Sequence, residues 1–188
     1  MTKGIILAGG TGSRLHPMTI SVSKALMPVY DKPMIYYPLS TLIASGINDI
    51  LVITTKKDIN LFRTLLQDGS QWGCSISYAV QNKPNGIAES LIIAEDFIGN
   101  DNVALILGDN IFYFPSLSHV IKNSLNTQGA TIFAYHVADP SRYGVADFEV
   151  SSSLIRRFQE KPPIEEAFSN LINAGTYLIE PELFCTMV

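Results

Sequence analysis

The chain has 188 residues, 47% hydrophobic and 16% charged, with 13 Lys and Arg against 17 Asp and Glu and a formal charge of −4 at pH 7. That balance excludes a disordered chain and a broad electrostatic surface for nucleic acid or anionic membrane, so positive charge must act locally, at a pocket. No apolar run reaches the roughly 20 residues of a membrane span, the run at 4–8 is too short for a signal-peptide core, and Cys74 and Cys185 are lone cysteines, so a cytoplasmic protein is expected.

In chain order, apolar β-rich runs alternate with amphipathic segments. A strand is predicted at 3–7, then a helix at 34–45, a strand at 49–54, a helix at 59–67, a strand at 75–80 and a helix at 86–97. A strand at 103–107, a helix at 116–126 and strands at 130–137, 144–149, 154–159 and 174–179 follow. Gly46 is a left-handed stop for the first helix, and Pro38 should kink that helix or delay its start. Ser116 is a reasonable N-cap. The strands at 3–7, 49–54 and 103–107 are nearly all apolar, as strands covered on both faces should be. This β-α rhythm implies an α/β sandwich with a mainly parallel sheet. Around Ser151-Ser-Ser153 the pattern changes to a hairpin.

The most informative stretch follows the first strand: Leu7-Ala-Gly9-Gly10-Thr11-Gly12-Ser-Arg14. A buried strand that empties into glycines brings bare backbone N–H groups close to an anion, and an arginine fork suits phosphate oxygens. It is neither the GxGxxG of a dinucleotide fold nor a Walker A loop, and a tight turn with a surface arginine would use the same residues. Lys24, ahead of Pro28 and Pro33, can aim a point charge at phosphate or simply be solvated. Asp109 leaves the strand 103–107 at the sheet edge where open α/β sheets bind ligands, and there a carboxylate can hold Mg²⁺. In a turn, an Asp is also ordinary. Gln81 and Asn85-Gly86 could read a base edge or form a turn and cap. Glu160 and Lys161 end a strand, where they would point to opposite faces; one could bind a sugar hydroxyl and the other a phosphate, but taken alone the pair reads more simply as an ordinary polar strand end. His136, in an apolar strand, reads as a core histidine. No zinc spacing and no Ser-His-Asp arrangement is present.

Taken in order, LAGGTGSRL (7–15), SKALMP (23–28), YDKPMIYYPLS (30–40), DGSQWG (68–73), QNKPNGIA (81–88), LGDNIF (107–112), DPSRYGV (139–145) and EKP (160–162) resemble the sugar-1-phosphate nucleotidylyltransferases, and within them the thymidylyl branch. The resemblance runs along the whole chain. It implies one nucleotidyltransferase domain over 1–188, a three-layer α/β sandwich with a mainly parallel, Rossmann-like mixed sheet of the nucleotide-diphospho-sugar transferase type. The implied reaction joins dTTP and glucose-1-phosphate into dTDP-glucose and pyrophosphate, feeding dTDP-sugars such as dTDP-rhamnose for polysaccharide. Gly9, Gly10, Thr11, Gly12 and Arg14 would hold the triphosphate, with Gln81 and Gly86 on the thymine. Arg14, Lys24, Asp109 and Lys161 would be the catalytic set and Asp109 the Mg²⁺ ligand. Gly144, Glu160, Lys161 and Asn173 would hold the sugar phosphate. A homo-oligomer is implied as well.

Two departures stand out. The family's chains continue well past residue 188 and carry there a second metal-binding aspartate, so this chain is expected to be C-terminally short. Asn173-Ala174 stands where the thymidylyl branch would have Val-Thr, which bears on sugar preference. The alternatives are a shortened relative that binds nucleotide with weak turnover, and a transferase for another sugar or for UTP.

Overall fold

The computed structural model describes residues 1–10, 12–113, 116–125, 127–149 and 151–183. The chain divides into two compact units, Met1–Thr131 with Tyr177–Val188, and Ile132–Thr176.

In the first unit β1 (Thr2–Ala8) leads through three 3-10 turns to the two-residue strands β2 (Pro28–Val29) and β3 (Lys32–Pro33). Then come α1 (Tyr36–Ala44), β4 (Asp49–Thr54), α2 (Ile59–Leu66), β5 (Ser75–Val80), α3 (Ile87–Ile93), α4 (Glu95–Ile98), β6 (Asn102–Leu107) and α5 (Leu117–Ser124). The strands lie in the order β5-β4-β1-β6. All three pairings are parallel. Ile5 pairs with Leu51 and Leu105, and Ile6 with Val52 and Ile106, so each face of the sheet is built from one parity of residues. Ile5, Leu51, Ile53, Val103 and Leu105 bury against Leu91, Ala94 and Ile98 of the α3–α4 segment, and Ile179 joins the same cluster. On the opposite face, a Cβ at Gly4 would stand 3.0 Å from Leu42 of α1 and 3.1 Å from Ile47, so glycine there lets the end of α1 close on β1. Helices thus cover both faces, which is why these strands are apolar throughout rather than alternating.

The expected strands are present to within three residues at each end, and the sheet is mainly parallel as expected. α1 begins at Tyr36, two residues late, and the Met34 and Ile35 amides ahead of it bond to Met27 O and Ala25 O. Pro38 falls in its first turn, where a missing N–H removes no helical bond. Gly46, at φ +82°, stops the helix as expected. Its amide bonds Ile43 O at 2.9 Å and the Ile47 amide bonds Leu42 O at 3.0 Å, a Schellman ending. The expected helix at 86–97 is two pieces, because Ala94 turns out of helical geometry at φ −90°, ψ 1°. Ser116 does stand at the N-cap of α5, but its side chain makes no capping bond.

The second unit takes in most of β7 (Ala130–His136), with β8 (Gly144–Phe148), β9 (Ile155–Glu160) and the first six residues of β10 (Leu171–Ile179). β8 is antiparallel to β9 and to β10, and β7 pairs with β10. The hairpin expected around residue 152 is there. The Glu149 amide bonds Leu154 O at 2.8 Å. The Glu149 carboxylate takes bonds from Arg156 Nη2 at 2.9 Å and Ser152 Oγ at 2.8 Å. Those two donors, the arginine first, hold the Glu149 carboxyl below its ordinary range. His136 is exposed, not a core residue, because the strand end that carries it is open to solvent.

Candidate functional site

The C-terminal edge of the parallel strands is stitched together at backbone level. Thr54 Oγ1, buried at the end of β4, donates to Ala8 O at 3.2 Å. The Gln81 amide, just past β5, donates to Thr54 O at 2.8 Å. Gly108, just past β6, donates to Leu7 O at 2.8 Å. A Cβ at Gly108 would meet the Ala8 Cβ at 3.0 Å and Leu7 O at 3.2 Å, so a side chain there would press the end of β6 away from β1. The result is one rim that carries the glycine loop, Gln81 and Asp109.

The loop after β1 turns at Gly12, whose φ of +61° favours glycine. Its carbonyl accepts from the Leu15 amide at 2.9 Å and from Thr19 Oγ1 at 2.7 Å. A Cβ at Gly12 would lie 3.0 Å from Thr19 Cγ2 and 3.2 Å from Lys24 Cβ. This packing aligns the 3-10 turns Ser13–Leu15 and Lys24–Leu26 on one side of the rim. Leu7, Gly10, Gly12, Arg14, Lys24, Gly108 and Asp109 line a cleft of about 370 Å³. Lys24 Nζ donates to Asp109 Oδ2 at 2.8 Å, with both side chains partly open to water. The cleft therefore gathers two cations, one carboxylate and a glycine turn, a set that can neutralise and orient a polyphosphate.

Beside it, Gln81 is 4% exposed. Its Nε2 donates to Glu89 Oε2 at 2.7 Å and Gly86 O at 3.1 Å. Gly86, at φ +97°, is where the chain swings into α3. A Cβ at Gly9 would stand 2.6 Å from Gln81 Oε1, so the glycine loop and the Gln81 amide are in direct apposition. Sequence reasoning missed Glu89. Its signal was position: it lies in the first turn of α3, four residues after Asn85, whose Nδ2 bonds its Oε1 at 2.9 Å. Thr11, expected among the triphosphate contacts, lies outside the described residues.

In the second unit Gly144 pairs with Glu160, and Ile172 pairs with Val145 one residue along, which brings Gly144, Glu160 and Asn173 into one row across three adjacent strands. A Cβ at Gly144 would strike the Phe158 ring and stand 3.1 Å from Glu160 Oε2. Asn173 Oδ1 accepts from the Gly175 amide at 2.9 Å. Glu160 and Lys161 do not point to opposite faces. Lys161 has left the strand at φ +46°, its amide bonds Tyr143 O at 3.0 Å, and its Nζ reaches Glu160 Oε1 at 2.8 Å.

Among the described residues no group of three or more His, Cys, Asp and Glu could hold a metal ion, and no helix is long and apolar enough to cross a membrane.

A profile of the nucleotidyl transferase family matches residues 3–188. A glucose-1-phosphate thymidylyltransferase of Mycolicibacterium smegmatis is 58% identical over 160 residues, covering 85% of this chain and 55% of that protein. One from Xanthomonas campestris is 51% identical over 179 residues, covering 95% of this chain and 60% of that protein. The chain thus spans little more than half the length of the curated relatives it matches. Among solved structures, a protein of Bacillus anthracis provisionally assigned as a glucose-1-phosphate thymidylyltransferase, in complex with sucrose, superposes with a TM-score of 0.89 at 40% identity over 98% of this chain and 74% of its own. A UDP-glucose pyrophosphorylase complexed with UDP-glucose superposes with a TM-score of 0.84 at 27% identity over 98% of this chain and 78% of its own. With the family profile matched along nearly its whole length, the chain belongs to the nucleotidyl transferase family.

Proposed function

We propose that the chain transfers a thymidylyl group from dTTP to glucose-1-phosphate and releases pyrophosphate. The observation that carries this is the cleft in which Gly10, Gly12, Arg14, Lys24 and Asp109 meet at the end of two parallel strands. The identity to thymidylyltransferases of two bacteria supports the choice of substrates.

The reaction is one displacement. A phosphate oxygen of the sugar phosphate attacks the α-phosphorus, a new P–O bond forms, and the bond to pyrophosphate breaks. The nucleophile is already an anion, so no base has to remove a proton. The difficulty is to bring two polyanions into line. Arg14 and Lys24 counter the charge of the triphosphate, and the glycine turn lets the backbone approach it. Positioning of this kind can supply about 7–11 kcal/mol of barrier reduction. Gln81 and Gly86 meet the base. Gly144, Glu160, Lys161 and Asn173 hold the sugar phosphate.

Asp109 fits a Mg²⁺ site: it is a hard oxygen donor at the mouth of the cleft, and Mg²⁺ is commonly held by one or two carboxylates with phosphate oxygens completing the shell. A bound ion there would supply further charge neutralisation at the phosphates. Lys24 is the residue that holds the Asp109 carboxylate at the cleft wall.

The test is pyrophosphate release from dTTP, glucose-1-phosphate and Mg²⁺, with UTP and other sugar phosphates as competitors. Release that is fastest with this pair is expected. Tight dTTP binding without release would reduce the reading to nucleotide binding, and a thermal shift with NAD alone would overturn it.

A further inference from the structure

Gln81 carries a side-chain amide that is donor at one end and acceptor at the other, so its reading of a ligand depends on which end faces out. Both hydrogens of Nε2 have acceptors behind it, Glu89 Oε2 at 2.7 Å and Gly86 O at 3.1 Å. The reversed amide would set an oxygen against a carboxylate and a carbonyl, losing both bonds and adding repulsion. The orientation is therefore fixed by the neighbours rather than free. Oε1 is left on the side of the glycine loop, 2.6 Å from where a Cβ at Gly9 would stand, and among the described residues no donor bonds it.

We propose that Glu89 is a positioning residue that sets base specificity: its carboxylate locks Gln81 as a hydrogen-bond acceptor toward the nucleotide, so the base edge presented there must supply an N–H. This rests on the dTTP reading above. The N3–H of thymine satisfies the requirement. The N3 of cytosine is a lone pair, and Oε1 opposes it. Without an acceptor at position 89 the amide loses its charge-assisted partner and only Gly86 O opposes its reversal, so the preference for the acceptor orientation weakens. Discrimination at this site is thus partly a penalty against the wrong base, maintained by a residue that need not touch the base.

The experiment measures dissociation constants for dTTP and dCTP on wild-type protein and on Glu89→Leu, Glu89→Ala and Glu89→Gln, with thermal midpoints to confirm folding. Wild type prefers dTTP. Glu89→Leu and Glu89→Ala lose about tenfold of that preference, which is what one well-placed hydrogen bond supplies. Glu89→Gln, whose own oxygen still accepts from Gln81, recovers most of it, a rescue that a role in fold stability alone would not produce. Folded Leu and Ala variants with the wild-type dTTP-to-dCTP ratio overturn the role of Glu89 and leave the dTTP reading standing. Wild-type protein that binds neither nucleotide removes that reading and this inference with it.

Discussion

Lys24 Nζ and Asp109 Oδ2 stand 2.8 Å apart, although 85 residues separate them in the chain. The pair joins the 3-10 turn Lys24–Leu26 to the segment just past β6. Both side chains are over a third exposed, at 35% and 42%, so the bond contributes about 0–1 kcal/mol to stability. On the proposed function its effect falls on turnover rather than on stability. Lys24→Met and Asp109→Asn are each expected to lower pyrophosphate release by about 10²–10³-fold with a thermal midpoint close to wild type. Variants that melt early and lose activity only in proportion to unfolded protein would contradict this.

Gly12→Ala is expected to act on both fold and function. The substitution places a Cβ at φ +61° and within 3.0 Å of Thr19. Left-handed backbone at a residue with a Cβ costs about 1–2 kcal/mol. Urea unfolding should show that loss, and dTTP affinity should fall with it because Thr19 and Lys24 must move aside.

Loss of Lys161 should separate the two substrates. Its ammonium sits at 2.8 Å from Glu160, at the strand end shared with Gly144. Lys161→Ala is expected to raise KM for glucose-1-phosphate about tenfold or more while KM for dTTP stays within about twofold, as loss of one charged contact to phosphate implies. Equal effects on both constants would count against assigning Lys161 to the sugar phosphate.

Acid should weaken the fold through identifiable carboxylates. Glu149 is held low by Arg156 and Ser152, Asp139 by the Ser141 hydroxyl and amide, and Asp68 by the Ser70 hydroxyl and amide. Each has a folded pKa below its unfolded value. The stability it adds is therefore complete above the ordinary carboxylate range and is lost as pH falls through the lowered folded value. The thermal midpoint should be flat from pH 7 to 5 and drop below about pH 4, where free carboxyls protonate. Arg156→Gln removes the largest cause at Glu149, and an NMR titration should find that carboxyl shifted upward.

Leu105→Ala tests the core apart from the site. Leu105 is fully buried in the cluster with Ile5, Leu51 and Ile98. Truncation there is expected to cost about 2–5 kcal/mol in urea unfolding. Turnover per folded molecule should be unchanged.

Much of this architecture is legible in residue order. β1, β4 and β6 announce themselves because a strand covered on both faces must be apolar throughout, and Gly46 ends α1 because only a left-handed residue completes that turn. Arg14, Lys24 and Asp109 could be expected to meet because each follows a strand or turn that exits at the same sheet edge. Contacts set by the third dimension were not legible. Glu89 meets Gln81 from eight residues further on and across a turn. Gly108 matters through its closeness to Ala8, which no spacing encodes. The break at Ala94 leaves no mark in residue type, and the meeting of Glu160 with Lys161 depends on a left-handed lysine, which a strand-end reading does not anticipate.

β1 lies between β4 and β6, strands that begin near residues 49 and 102, so its two edges are completed in two widely spaced steps. During synthesis the opening segment has only one partner until about a hundred residues have left the ribosome. The rim at the C-terminal edge of the sheet cannot close until the second partner arrives, because Gly108 and Asp109 travel with it. Chains stalled before that moment carry α1 to α4 and the strands β5, β4 and β1 but lack Gly108 and Asp109, and on the proposed function their affinity for nucleotide should rise abruptly as their length passes that point.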